Sequence, residues 1–200
     1  MVYKARWIRS SLSSLNLEAM VKLTLFLTFV ALAASGVCSP TKRTVPEVKN
    51  DFVVIGTDLK QLKTDTQSLT AQNAISALAK IQATGQIVAA AIGQAAGHIK
   101  GTPVTSASDS AALAKAASDT AVLVADALGT LSSKKAIVKG AGPAAVKSTC
   151  TQLTFFGQIA GPTVSLLVPV LQNDNDKAVV KAAAAAITAS ITKTEKDLGC

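Results

Sequence analysis

Two cysteines, Cys150 and Cys200, stand near the outer ends of two apolar segments that both repeat with helical periodicity. A polar turn at residues 172–176 separates the segments, and as a helix each would span about 30 Å. If the two helices fold back on each other at this turn, Cys200 returns to the level of Cys150. The sequence therefore predicts a helical hairpin closed by a disulfide, and closing this loop should stabilise the fold by about 4 kcal/mol.

The beginning of the chain has the pattern of a secretory signal peptide at residues 20–38. A short basic stretch precedes an apolar run at residues 23–34, and small residues follow, as a signal peptidase requires. The apolar run is too short to span a membrane, which takes about 20 residues. An upstream extension at residues 1–19 either lengthens the basic region or precedes a true start at Met20.

A dibasic pair, Lys42 and Arg43, follows the signal peptide in a Pro- and Thr-containing context. Proteases of the secretory pathway cut at such pairs, although two surface charges would look the same. We therefore expect a leader at residues 1–43 and a single helical-bundle domain at residues 44–200. An oxidising compartment also favours pairing of Cys150 with Cys200.

Removal of the leader changes the charge of the protein substantially. The full chain has 20 Lys and Arg against 12 Asp and Glu, for a net charge of +8. From residue 44 onward there are 14 lysines against 11 acidic residues, for a net charge of +3, and no arginine remains. Arginine is the residue most used for phosphate and base recognition. We therefore expect no nucleic-acid partner.

Five segments after the leader repeat apolar residues at alternating steps of three and four, which is typical of amphipathic helices. The stripes run from Phe52 to Leu69, Leu78 to Ile99, Leu113 to Leu131, Val146 to Leu171 and Val180 to Leu198. No further membrane-spanning run is expected. The predicted fold class is all-α, an antiparallel bundle of four to five amphipathic helices with one disulfide.

Several local signals refine this bundle. Candidate N-caps of the third and last helices are Ser106, Ser108 and Ser110, and Asp174 and Asp176. Gly93 and Gly97 are spaced for close helix contact. Pro169 is expected to end the fourth helix, and Gly140 and Gly142 to lie in a linker before it.

The fourth segment is apolar on two faces, whereas the others are apolar on one. A helix of this kind is either central to the bundle or binds an apolar ligand. The candidate contacts to such a ligand are Phe155, Phe156, Ile159, Leu166, Ile92 and Leu62. The alternative is that these residues only form core.

Catalytic and metal-binding patterns are missing from the sequence. His98 is the only histidine, so a nucleophilic triad would have to use it. The run Asn173–Asp176 lacks the glycine and the distal glutamate of a calcium loop. We expect no enzymatic activity, no cofactor and no bound metal.

The order of segments is similar to one protein family. The residues that carry the likeness are DFVVIGTDLKQLKTDTQSLTA, AIGQAAGHIKG, SASDSAALAKAASDTAVLVADAL and TFFGQIAGPTVSLLVPVL, followed by an Ala-rich closing helix. They resemble the fungal hydrophobic surface-binding protein A family, which overlaps the cell-wall galactomannoproteins. The resemblance implies a secreted, non-enzymatic bundle that binds hydrophobic surfaces or fatty acids and has secreted hydrolases as further partners.

Two functions follow as hypotheses. The first is a secreted extracellular protein, loosely associated with the cell wall, that binds lipids or hydrophobic surfaces through apolar helix faces or a cavity between helices. The second is a secreted helical inhibitor or effector of an extracellular enzyme or host protein, because disulfide-closed bundles also serve that role.

Overall fold

The computed structural model describes residues 44–104 and 106–200. The leader predicted at residues 1–43, with its signal peptide and its Lys42–Arg43 site, lies outside these residues. Five long helices and one short helix make up the described part: α1 (Val45–Gln67), α2 (Ala74–Lys100), α3 (Ala107–Ser133), α4 (Lys135–Gly140), α5 (Pro143–Ser165) and α6 (Asp174–Leu198). The predicted all-α class is confirmed.

The five long helices form a closed ring in the order α1, α2, α5, α6 and α3, and α3 packs back against α1. Long helices that follow each other in the chain run antiparallel, as in the prediction. In the α1–α2 pair, for example, Asp51 contacts His98 and Asp65 contacts Thr84. The contacts of α3 with α1 and α6, and of α2 with α5, are parallel. The apolar stripes of all five helices meet inside this ring.

The first helix begins at Val45, seven residues before the start of its predicted stripe at Phe52. The backbone N–H of Thr44 donates to the Glu47 carboxylate at 2.7 Å, and Pro46 lies in the first turn. A reciprocal Thr–Glu cap and an early proline are strong start signals. They extend the helix beyond its apolar stripe.

The short helix α4 was not predicted, because six residues are too few to show a helical period. It lies across one end of the ring, and its Val138 is fully buried in the common core. Gly142 follows with a φ of 103°, a left-handed conformation that glycine adopts without strain. That turn directs the chain into α5, whose first residue is Pro143.

The ends of α5 and α6 differ in detail from the predictions. The α-helical part of α5 includes Pro162 and ends at Ser165, four residues before Pro169, and tight turns continue to Val170. Asn173 caps α6 by accepting a hydrogen bond from the backbone of Asp176 at 2.8 Å, so the predicted Asp caps are wrong. At α3, the predicted cap Ser106 is confirmed.

Close helix contact occurs at a different glycine pair from the predicted one. Gly93 and Gly97 on α2 face open space, with no atom within 4 Å of an added Cβ. Gly157 and Gly161 on α5 face α6 instead. A Cβ on Gly161 would lie 2.9 Å from Thr188 Oγ1. The α5–α6 pair is therefore tightly packed at these glycines.

Helix α2 is long and apolar enough to span a membrane by length and composition, the one such helix in the described ranges. Core helices of bundles meet the same criterion. Its Val88, Ile92, Ala95 and Ile99 are buried in the ring. That the chain has no transmembrane segment stays a prediction.

Candidate apolar ligand site

The interior of the ring is lined almost entirely by apolar side chains of small or medium size. Its large members include Ile55, Leu59, Leu113 and Ile187, all at most 2% exposed. Between them lie alanines that keep the helices close: Ala95, Ala114, Ala117, Ala121, Ala160 and Ala184. The chemistry of this interior suits a hydrocarbon chain and disfavours a charge.

Buried hydroxyl groups do not alter the apolar character of the interior. Thr66, Thr120 and Thr149 each donate to the backbone carbonyl four residues earlier. In the described ranges, every buried side-chain nitrogen or oxygen has a hydrogen-bond partner. No buried donor is thus left to hold a ligand's polar group.

Among the charged residues in the described ranges, Asp65 is the most deeply buried at 2% exposed, and its burial was not predicted. Its carboxylate accepts hydrogen bonds from Gln61 and Thr84, both at 2.7 Å, and contacts Lys80 Nζ at 2.8 Å. Burial raises the pKa of this carboxyl, but the three hydrogen bonds and the charge of Lys80 outweigh burial. The pKa of Asp65 is therefore lower than usual. Its position between Leu62 and Leu69 in the stripe was the available sequence signal.

The predicted Cys150–Cys200 disulfide is present, with the two Cα atoms 5.5 Å apart. It joins the start of α5 to the end of α6. A shallow groove beside it is lined by Lys147, Thr151, Phe155 and Gln158 among others. This groove lies on the outside of the ring.

The six predicted ligand contacts fall into different environments. Phe156 and Ile92 are buried in the core, whereas Leu62, Ile159 and Leu166 are half-buried and pack against it. Phe155 is half-buried and lines the outer groove. Five of the six thus belong to or pack against one hydrophobic core, and Phe155 lines the outer groove. Their role in binding stays a prediction.

Helices α2 and α5 place two of these residues at a similar height. Gln82 of α2 contacts Ser148 and Gln152 of α5, and the two helices run parallel. Continuing this register puts Ile92 near the level of Ile159. Leu62, by contrast, lies on α1, which adjoins α2 and α3.

A second groove lies between the start of α2 and α4, and it was missed because α4 was missed. Its volume is about 760 Å³, and it is lined mainly by Ala71, Ala74, Ile75, Ala136, Ile137 and Ala141. At the same end of the bundle, the Ser132 hydroxyl donates a hydrogen bond to Asp197. This bond and the charges of Lys135 and Lys193 outweigh partial desolvation, so the pKa of Asp197 is lowered. The α4 end is thus partly apolar and rich in lysine.

In the described ranges, no group of three His, Cys, Asp or Glu residues is placed to hold a metal ion. His98 Nδ1 lies 2.7 Å from Asp51 Oδ2 and joins α2 to α1. This contact is at the end of the bundle opposite α4. The pair connects two helices and lies away from both grooves.

Two solved structures share this fold. One is AFMP4P in complex with palmitic acid, at 20% identity and a TM-score of 0.71, covering 77% of this chain and 99% of that one. The other is ligand binding domain 1 of the Penicillium marneffei MP1 protein complexed with arachidonic acids, at 15% identity and a TM-score of 0.67, covering 75% and 95%. At these identities the likeness establishes a common fold.

Sequence comparison adds no further relatives. No protein-family model matches the chain, and no curated protein matches it in sequence. The predicted membership of the hydrophobic surface-binding protein A family therefore stays a prediction. The fold that it implied is the observed one.

Proposed function

We propose that this protein binds a long-chain fatty acid inside the helical ring. The observation that supports the proposal is the five-helix ring with an apolar, alanine-rich interior, a fold shared with two proteins whose structures contain palmitic and arachidonic acids. The helices are 23 to 27 residues long, or about 35 to 40 Å. The ring is therefore long enough to enclose an extended acyl chain.

Burial of the hydrocarbon would supply the binding energy. Each methylene group removed from water contributes about 0.8 kcal/mol. An entering chain has to separate side chains that now pack together across the ring. Ala117, Ala121 and Ala160 are buried, and each has a side chain of a single carbon. Separating them therefore forfeits fewer contacts than separating large side chains.

The carboxylate of the ligand would lie at an end of the ring. The interior offers no unpaired donor in the described ranges, and Asp65 is an anion held inside it. A second buried negative charge close to Asp65 would be strongly unfavourable. The acyl chain would thus lie inside the ring, and the carboxylate head group would lie outside it.

Displacement of a fluorescent fatty acid from the purified protein tests the proposal. Palmitate should displace the probe, and affinity should rise about fourfold with each added methylene along a series from octanoate to palmitate. Absence of displacement by every member of the series, or an affinity independent of chain length, would contradict it.

A matched pair of variants locates the site. Ala160→Leu fills the ring interior and should weaken binding at least about tenfold, because the added volume occupies the space of the chain. Ala90→Leu makes the same change on the exposed side of α2 and should leave binding unchanged. Phe155→Ala tests the outer groove. If Phe155→Ala greatly weakens fatty-acid binding and Ala160→Leu binds like wild type, the ligand lies beside the disulfide instead.

The compartment and the non-enzymatic role belong to the same proposal. The secretory pattern at residues 20–38 and the dibasic site at Lys42–Arg43 support release of a chain that begins at Thr44. The intact mass of the protein recovered from culture medium tests this. The expected mass is that of residues 44–200 less two hydrogens for the disulfide, and a mass that retains the leader would contradict it.

A further inference from the structure

The end of the bundle that carries α4 is basic, and the opposite end is slightly acidic. When each long helix is divided at its middle, the α4 half contains nine lysines and five acidic side chains, a net charge of +4. The other half contains five lysines and six acidic side chains, a net charge of −1. The net positive charge of residues 44–200 therefore lies at one end.

Several lysines at this end are available to a partner. Lys139, Lys147 and Lys196 are exposed and form no ion pair with any residue in the described ranges. Lys135 is 53% exposed and lies 3.8 Å from Asp197, which is a weak pairing. All four lie in the α4 half of the bundle.

The same end also exposes apolar surface. The groove between α2 and α4 is lined mainly by alanine and isoleucine. Ile75, one of its lining residues, is 82% exposed, the highest value among the large hydrophobic residues that the structure describes. One exposed isoleucine alone is ordinary. An exposed isoleucine beside an apolar groove, at an end of the bundle rich in exposed lysines, is a combination that suits a membrane surface.

We propose that the α4 end docks on a membrane surface that contains anionic phospholipid, with Ile75 and the α2–α4 groove against the acyl boundary and Lys135, Lys139 and Lys147 over the head groups. Anionic lipid attracts lysines near the surface, and the attraction falls off within a Debye length. This inference rests on the proposed function. Docking would bring the protein to its ligand, because long-chain fatty acids reside in membranes. Val138 of α4 closes the ring at this same end.

Vesicle co-sedimentation tests the docking of the wild-type protein. Vesicles of phosphatidylcholine with about 30% phosphatidylserine should bind it at low salt and release it at about 0.5 M salt, where charges are screened beyond a few ångströms. Vesicles of phosphatidylcholine alone should bind it much more weakly. Equal binding to both vesicles, or binding to neither, overturns the proposal.

Two charge variants with the same number of changes locate the surface. The variant Lys135→Gln, Lys139→Gln, Lys147→Gln should bind about a hundredfold more weakly, at about fivefold per lysine. The control Lys49→Gln, Lys100→Gln, Lys181→Gln removes three exposed lysines from the opposite half and should bind like wild type. An equal loss in both variants would show general charge attraction and overturn the assignment.

A second pair tests the apolar contact. Ile75→Ser should weaken vesicle binding severalfold, whereas Val53→Ser, at a residue that is 65% exposed in the opposite half, should not. Both residues are exposed, so neither change should unfold the protein, and circular dichroism verifies this. If Ile75→Ser binds as tightly as wild type, the groove is not in the interface.

Fatty-acid displacement without vesicles separates this inference from the proposed function. The triple variant at the α4 end should keep wild-type affinity for palmitate in solution while it loses vesicle binding. A wild-type protein that binds these vesicles but no fatty acid would refute the proposed function alone. A wild-type protein that binds fatty acid but no vesicle would refute the docking alone.

Discussion

The two antiparallel hairpins of the bundle, α1–α2 and α5–α6, are held together by different chemistry. In α5–α6, a disulfide joins the ends and two glycines let the backbones approach closely. In α1–α2, side chains make the connections, with the buried Asp65 cluster near one end and the Asp51–His98 contact near the other. The α5–α6 hairpin therefore depends on a covalent bond and close backbone packing, and the α1–α2 hairpin on hydrogen bonds between side chains.

The largest expected effect in this comparison is loss of the disulfide. Cys150→Ser with Cys200→Ser removes a link across 50 residues and should lower the free energy of unfolding by about 4 kcal/mol. Urea unfolding followed by circular dichroism measures it. Reducing agent should have the same effect on wild type and none on the variant. An unchanged unfolding midpoint would contradict a stabilising role.

Loss of the buried charge in the other hairpin should be the next largest effect. Asp65→Ala leaves the donors of Gln61 and Thr84 without their acceptor. It should lower the free energy of unfolding by about 2 kcal/mol. Because Lys80 is 65% exposed, water partly replaces its ion pair, and the cost stays below that of a fully buried pair. Asp119→Ala, at a side chain that is 62% exposed, is the control and should cost no more than about 0.5 kcal/mol.

The same carboxylate should make stability depend on acid pH. The pKa of Asp65 in the folded state lies below its usual value of 3.8, because its hydrogen bonds and Lys80 outweigh burial. The contribution of ionised Asp65 to the free energy of unfolding is therefore fully present well above pH 3.8. It is lost as the pH falls through the folded-state pKa. Unfolding free energies at about pH 6 and about pH 3 should differ less in Asp65→Asn than in wild type. An identical difference in both proteins would exclude Asp65 as the source.

The smallest effects should separate the two glycine pairs. Gly161→Ala places a Cβ 2.9 Å from Thr188 Oγ1 and overpacks the contact, although alanine has the better helix propensity. The free energy of unfolding should fall by about 1 kcal/mol. The double change Gly161→Ala, Thr188→Ala should recover most of that loss. Gly93→Ala meets open space and should stabilise the protein by up to about 1 kcal/mol. Destabilisation by Gly93→Ala would mean that its helix face is covered.

The helical periodicity of the sequence was sufficient to predict the five long helices and their antiparallel order. The cysteine spacing predicted the disulfide. Gly93 and Gly97, however, have the same spacing as Gly157 and Gly161, and only the second pair faces a neighbour. Spacing places two residues on one face of a helix, but which face meets another helix depends on the order of helices in the ring.

Prediction of the candidate site was less complete for the same reason. Phe155 and Phe156 are adjacent in an apolar segment, yet one lines an outer groove and the other is buried. Helix α4 and its groove were missed because six residues contain too little periodicity. The burial of Asp65 was not predicted, because a charged residue is rarely buried unless paired. Its partners Gln61, Lys80 and Thr84 could not be foreseen from spacing.

Closure of the ring by α6 has a consequence for biosynthesis. Helix α3 packs against α6 through residues more than 60 positions apart, such as Leu128 with Thr194 and Ser132 with Asp197. While α6 is still inside the ribosome, the faces of α3 and α5 that it will cover remain open to water. A nascent chain of this protein should therefore stay chaperone-accessible until its last helix emerges, and cotranslational pulling-force measurements should register folding only then.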